Sequence, residues 1–398
     1  MNAFLHALAG ALVFFILHAL YKNNKLSIIS ASLFVINPFA LEWVAQIHRD
    51  GIFIIGNLLY LTGWILLYNA LSSDSKYKII KAIIVSLIGL KLAVLMRPYW
   101  GQILSVTSIL MLACLYWKHS LNSKQRWSLN LRTFLVLTSC ICISVIAMNS
   151  GGFKFVKNIT DLAAPAQQPK EETKYVSVFK SAIKTKPKTQ EIDISKKLDL
   201  INANIRLLEQ KIDVINLRMN QTKRDNQAPM WIDSNMIPNF VENKIYALAM
   251  LRDGTQGSLG NTVIDPNVKL NSVSSFISYF PRAFTIGFFS PFPEHFGGKG
   301  SSQAMTVARG ILTLIMPVFY LLTLSFLVAT YTRRKDPLFI MVAIFCIMGV
   351  MLFTYTYANI GTLIRLRYCF YTLALTIGLA QFLSYLDDKF WKQKPKSK

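Results

Sequence analysis

Long apolar blocks alternate with short polar connections along the chain, and a polar stretch from 149 to 309 interrupts this rhythm. The apolar blocks fall at 3–20, 27–44, 51–71, 79–96, 101–117, 133–148, 310–330, 337–355 and 368–386. Each lies close to the roughly 17–25 residues that a helix needs to cross the hydrocarbon core of a bilayer. The pattern predicts an all-α integral membrane protein of about nine transmembrane helices, with every backbone polar group paired inside its own segment. Six helices are expected within residues 1–148. A large extracytoplasmic insert at 149–309 follows, and three more helices in 310–398 end in a basic tail.

The insert is not uniform. Within 163–190, Pro165, Pro169 and Pro187 stand among many lysines, the composition of a solvated linker. In 192–220, Ile194, Leu198, Ile201, Ile205, Leu208, Ile212, Ile215 and Met219 alternate spacings of four and three. That is a heptad seam on a helix, roughly 38 Å long at about 1.5 Å per residue. The seam needs a partner. One partner is a second copy of the chain, where isoleucine at both seam positions favours trimers or tetramers; the other is the protein's own extracytoplasmic surface. Further on, 275–295 opens with SFISYFPRAFTIGFFSPF. This aromatic run is too interrupted by proline and arginine to span, and it reads as an interfacial segment.

Composition agrees with the bilayer as the main solvent, since 53% of the 398 residues are hydrophobic and 16% charged. The net charge of +23 would suggest nucleic acid if it were clustered on a soluble surface. It lies instead in alternate short loops: Lys22 and Lys25; Lys76, Lys78 and Lys81; Lys118, Lys124, Arg126 and Arg132; Arg333, Arg334 and Lys335; and five lysines from Lys389 to Lys398. The opposing connections carry Arg49, Arg97, Arg365 and Arg367. This positive-inside bias places the amino terminus and the insert outside and the tail in the cytoplasm, with membrane lipid rather than nucleic acid as the partner. A bacterial cytoplasmic (inner) membrane is the expected location.

All five cysteines fall inside apolar blocks, so disulfides are not part of the insert. Neither a phosphate loop nor a dinucleotide fingerprint occurs, and no His or Cys cluster has metal-ligand spacing. The spans also lack the chain of buried ionisable residues expected of a transporter.

Chemistry therefore has few places to reside. Outside the insert the acidic residues are Glu42, Asp50, Asp74, Asp336, Asp387 and Asp388, and the charge bias leaves only Glu42 and Asp50 near the outer surface. Asp50 sits in the tight HRDG connection beside His48 and Arg49, just before the block that starts at Gly51. A charge at that depth is costly unless it is paired or lines a wet cavity, although an aspartate before a helix also serves as an N-cap. The same face receives Lys91, Arg97 and Tyr99 from around MRPYW, Arg282 from the insert, and Asn359, Arg365 and Arg367 from ANIGTLIRLR. Guanidinium groups converging with few carboxylates suit a phosphate or pyrophosphate, because each planar fork meets two phosphate oxygens at once. Lys91 alone suits snorkelling to the headgroups, and Arg365 and Arg367 also suit an ordinary boundary role.

HRDG after a proline-interrupted block, the RPYW turn, YFPRAF with FFSPFPEHF ahead of a span, and a closing NIGTLIRLRY resemble the GT-C type of polytopic membrane glycosyltransferase. The resemblance covers most of the chain except 163–227. It implies transfer of a sugar from a polyprenyl-phosphate-linked donor to an extracytoplasmic acceptor during surface-polysaccharide or glycoconjugate assembly. In that scheme Arg97, Arg365 and Arg367, with Arg49, Tyr99, Arg282 and Asn359 around them, bind the carrier phosphate. Asp50 or Glu294 is the catalytic carboxylate, no metal site is specified, and a divalent cation between carboxylate and phosphate is compatible with the set. Members of that group begin with a cytoplasmic terminus, a first span and an outer loop holding the catalytic carboxylate. This chain begins at what would be the second span, so either a portion lies upstream or the protein binds the lipid-linked sugar without the usual base. A repeat-unit polymerase or ligase using polyprenyl-diphosphate glycan, and a non-catalytic assembly protein oligomerising through the heptads, fit the same residues.

Overall fold

The computed structural model describes residues 2–38, 50–71, 75–97, 99–122, 231–232, 237–256, 263–292 and 303–390. The chain divides into two compact units, Met1–Val156 with Asp233–Lys398, and Lys157–Ile232. Nearly all described residues belong to the first unit. The expected linker 163–190, the heptad helix 192–220 and the sixth apolar block 133–148 lie outside the described residues.

The first unit is all-helical among its described residues. Its helices are α1 (Asn2–Tyr21), α2 (Asn24–Ile36), α3 (Asp50–Ala70), α4 (Lys76–Met96), α5 (Trp100–Asn122), α6 (Asn239–Gln256), α7 (Val273–Ser278), α8 (Phe280–Phe289), α9 (Gln303–Thr332), α10 (Pro337–Thr356) and α11 (Ile360–Phe390). Seven of these, α1, α3, α4, α5, α9, α10 and α11, contain windows long and apolar enough to cross a membrane, which makes the chain an integral membrane protein.

Seven of the roughly nine expected membrane-crossing helices fall among the described residues. Of the second apolar block, the described residues form the 13-residue α2, which ends at Ile36 with Asn37 as its C-cap. Pro38 follows, and a proline removes a backbone donor and biases the preceding residue out of the helical region. Carbonyls in the last turn of α2 are met by side chains. The Tyr368 hydroxyl donates to Phe34 O at 2.7 Å, and His6 Nε2 lies 3.0 Å from Val35 O.

Helix starts are set by local chemistry. The Asn23 side chain accepts from Leu26 N at 3.2 Å ahead of α2, and Asp336 accepts from Leu338 N at 3.0 Å ahead of α10, with Pro337 in the first turn. Asn359 does the same for α11, accepting from Gly361 N at 2.9 Å.

Helices α3 and α4 pack closely along their length. A Cβ on Gly56 would lie 2.6 Å from Ala93 N, one on Gly63 2.5 Å from Ser86 N, and one on Gly89 2.2 Å from Tyr60 N. These contacts run in opposite directions along the two helices, so the pair is antiparallel with backbones almost touching. Small residues allow this approach, and dispersion across a close-packed seam supplies the attraction that lipid does not. The register puts the start of α3 and the end of α4 at the same end of the bundle. At the other end, Lys118 Nζ donates to Tyr68 O of α3 at 2.6 Å, and Arg333 Nη1 to Leu20 O of α1 at 3.3 Å.

Replacing Gly89 with alanine should force α3 and α4 apart, because the atoms it would strike are backbone. A loss of roughly 1–3 kcal/mol is expected for overpacking, read as a lowered thermal unfolding midpoint in detergent. Gly254→Ala, where a Cβ meets nothing within 4 Å, should leave the midpoint unchanged or slightly raised.

Candidate functional site

The antiparallel α3/α4 register brings Asp50, the first residue of α3, against Arg97, the C-cap of α4. The chain then turns at once, with Trp100 N donating to Arg97 O at 2.9 Å as α5 begins. Arg97 Nη2 donates to Asp50 Oδ1 at 2.7 Å, and Arg97 Nη1 donates to the Tyr99 hydroxyl at 3.1 Å. From the start of α11, Arg365 Nε reaches to 3.1 Å from Asp50 Oδ2. Its N–H is not aimed along that contact, so the second link is an ion pair and not a hydrogen bond. One carboxylate thus stands between two guanidinium groups.

Aromatic residues form the floor. The Arg97 guanidinium carbon lies 4.8 Å from the Phe53 ring centroid. Trp100 stacks on Phe353 of α10 with centroids 4.7 Å apart and planes 6° from parallel. The Trp100 indole N–H is fixed by Asn57 Oδ1 at 2.7 Å. Tyr99 also meets the Tyr357 hydroxyl at 3.2 Å, which ties the α4–α5 turn to the end of α10. Burial opposes the charge on Arg97, but the Tyr99 hydroxyl and the Asp50 carboxylate outweigh it and hold the guanidinium protonated. Burial and the Tyr99 contact push the Tyr357 hydroxyl well above its ordinary value, so it stays neutral. The low-dielectric floor strengthens each charge contact above it.

Asp50, Arg97, Tyr99 and Arg365 are therefore brought together, but Arg367 is not. Two residues further along α11, it is only 1% exposed, and its guanidinium is occupied elsewhere. Nη1 donates to Ile286 O at 2.9 Å and to Gly287 O, and Nη2 donates to Ser290 O. Those carbonyls lie in the last turn and at the C-cap of α8, and a cation there also complements the helix dipole. Instead of holding a ligand phosphate beside Arg365, Arg367 caps the insert. The two-residue step along a helix turns neighbouring side chains to different faces, so the pair expected to act together is split.

Arg282 is likewise elsewhere, paired with Asp265 of the insert through Nη2 to Oδ1 at 2.9 Å and Nε to Oδ2 at 3.1 Å. Asn359 serves as the α11 cap described above. Arg49 and Glu294 lie outside the described residues.

Three contributors were not singled out in the sequence. Tyr357 and Phe53 are single aromatics among many at boundaries, and nothing in their spacing marks them. Arg252 is a lone arginine in YALAMLRDG, and its buried position is the signal that a cation inside an apolar run can give. It is 1% exposed and donates to Thr354 O at 3.1 Å and to the Tyr279 hydroxyl at 2.9 Å. Thr255 adds a bond to Thr356 O at 3.1 Å, so the insert closes the carbonyl end of α10.

No protein-family model, curated protein or solved structure matches the chain. Among the described residues no three His, Cys, Asp or Glu side chains gather where they could hold a metal ion. Among the described residues, two positive groups share one negative group and Arg365 is 36% exposed, an arrangement that can bind an anion.

The insert's own ion pair has a pH signature. Burial raises the Asp265 carboxyl, but hydrogen bonds from Arg282 and Tyr279 and the charges of Arg282 and Arg252 outweigh it and hold it below the ordinary carboxylate value. A group lowered on folding contributes fully above its unfolded value, and the contribution is lost as pH falls through the lowered one. Proteolytic cleavage within 263–292 should therefore be slow and pH-independent near neutrality, then rise as the solution is acidified through the carboxylate range. In Asp265→Asn the acid-dependent rise should be absent, with cleavage already faster at neutral pH.

Proposed function

We propose that the chain is a membrane glycosyltransferase of the GT-C type, transferring a sugar from a polyprenyl-phosphate-linked donor to an extracytoplasmic acceptor. The observation that carries this reading is the placement of Arg97 and Arg365 on either side of Asp50 at one end of the helical bundle, with one guanidinium partly exposed. Among the described residues, two cations against one carboxylate leave a residual positive charge, to which a phosphate at headgroup depth is the natural counter-ion. As the sugar departs, negative charge grows on the carrier phosphate, and a fixed positive group there stabilises the transition state more than the ground state. The charge bias of the loops supports an orientation with this end outside a bacterial inner membrane and the basic tail in the cytoplasm. The heptads at 194–219 support assembly into homo-oligomers, and 133–148 with the α2 region would complete nine crossings.

A second reading has its own support. Both Asp50 oxygens are engaged by arginines, which leaves neither directed at an acceptor hydroxyl. That favours a repeat-unit polymerase or ligase, in which arginines at the diphosphate suffice and no catalytic carboxylate is required. Asp50→Asn separates the two: glycosyl transfer with a carboxylate base is abolished, whereas the arginine-only reaction persists.

The test of the shared core is carrier binding. Purified protein in nanodiscs should bind decaprenyl phosphate saturably, and the double variant R97A/R365A should lose at least about tenfold in affinity, the factor for one charge-assisted contact. Equal affinity in the double variant and wild type would remove the physical basis of both enzyme readings.

A further inference from the structure

The two guanidinium groups beside Asp50 are held differently, and the difference assigns them different work. Arg97 is fixed from three directions: Nη2 to Asp50 at 2.7 Å, Nη1 to the Tyr99 hydroxyl at 3.1 Å, and the Phe53 ring 4.8 Å from its central carbon. Its side chain is 16% exposed. Arg365 is 36% exposed and approaches Asp50 only through Nε, at 3.1 Å and without a directed hydrogen bond. Among the described residues no acceptor meets its two terminal nitrogens.

A guanidinium has five N–H donors in a rigid plane, and its terminal nitrogens form a fork that fits two oxygens of one phosphoryl group. In Arg97 each terminal nitrogen already donates to a protein oxygen. In Arg365 the fork is uncommitted. Arg365 comes closest to Asp50 through Nε, at 3.1 Å from Oδ2, and its terminal nitrogens have no acceptor among the described residues. Asp50 thus holds the inner end of the Arg365 head group by charge, while Tyr99 and Phe53 keep Arg97 still so that Arg97 can hold Asp50.

We propose that Arg365 is the arm that receives the phosphoryl group of the lipid-linked ligand, and that Asp50 and Arg97 are positioning residues acting through it. This rests on the carrier-lipid reading above and divides its labour. The same phosphoryl chemistry occurs in a carrier lipid, in an ordinary phospholipid headgroup and in inorganic phosphate, so the experiment carries an arm for each.

Labelled decaprenyl phosphate is titrated into wild-type protein in nanodiscs, alone and with an excess of inorganic phosphate or of phosphatidylglycerol. Binding that neither competitor displaces is expected; displacement by either would reassign the site to that source and overturn the carrier assignment. Arg365→Ala should weaken binding about ten- to a hundredfold, the factor for one charge-assisted bond. Arg365→Gln, which keeps a polar, hydrogen-bonding side chain without the charge, should show the same loss and guards against a folding defect. Arg365→Lys should recover only part of the affinity, because an ammonium lacks the fork.

A double-mutant cycle isolates the positioning role. Asp50→Asn should change affinity in the wild-type background and add nothing once Arg365 is alanine, whereas a merely structural aspartate would weaken both backgrounds equally. If wild type binds none of the three ligands, the carrier reading itself falls. If wild type binds decaprenyl phosphate and both Arg365→Ala and Arg365→Gln bind it equally well, that reading stands and the division of labour is overturned.

Discussion

A helix that ends inside apolar surroundings leaves carbonyl oxygens that water cannot reach, and each unmet one costs on the order of 1–3 kcal/mol. Much of this structure follows from that constraint. Arg333 meets the end of α1, Tyr368 and His6 the end of α2, Lys118 the end of α3, Arg367 the end of α8, and Arg252 with Thr255 the end of α10. In each case the donor comes from a distant part of the sequence. The same bonds that satisfy the backbone therefore fix how the helices sit against one another, as non-directional apolar packing alone could not.

The site inherits its geometry from this framework. Asp50 and Arg97 meet because glycines let α3 and α4 approach until their backbones touch, and that seam sets the register to within a residue. Arg365 arrives on α11, whose start is set by the Asn359 cap and by the bond from Ile264 N to Ala358 O at 2.6 Å. A loss of packing at Gly89 would thus be felt at Asp50 through the register of the helix pair, far from either charge.

How much of this could be read beforehand depended on whether the information was local. Apolar blocks report helices directly, and most of the seven membrane-crossing helices coincide with a block to within a few residues. Of the second block, α2 covers the part before Pro38, and a proline there interrupts the helical hydrogen-bond ladder. That Asp50, Arg97 and Arg365 gather at one end of the bundle followed from the order of the connections. The role of Arg367 did not. Its spacing from Arg365 is the same on paper whether the pair converges or diverges, and only the position of α8, 80 residues away in the chain, decides it. Arg252 was hidden for the same reason: its acceptor, Thr354 O, is a backbone atom, and backbone acceptors leave no trace in a sequence.

Arg252 and Arg367 close each other's element: the insert supplies the donor for a membrane helix, and the last membrane helix supplies the donor for the insert. This has a consequence for biogenesis. A ribosome makes 263–292 long before it makes Arg367, so the carboxyl end of α8 lacks the Arg367 donor until α11 has been made. Final maturation of the insert is therefore coupled to completion of the polypeptide, and the state of α8 records whether the last span has been inserted.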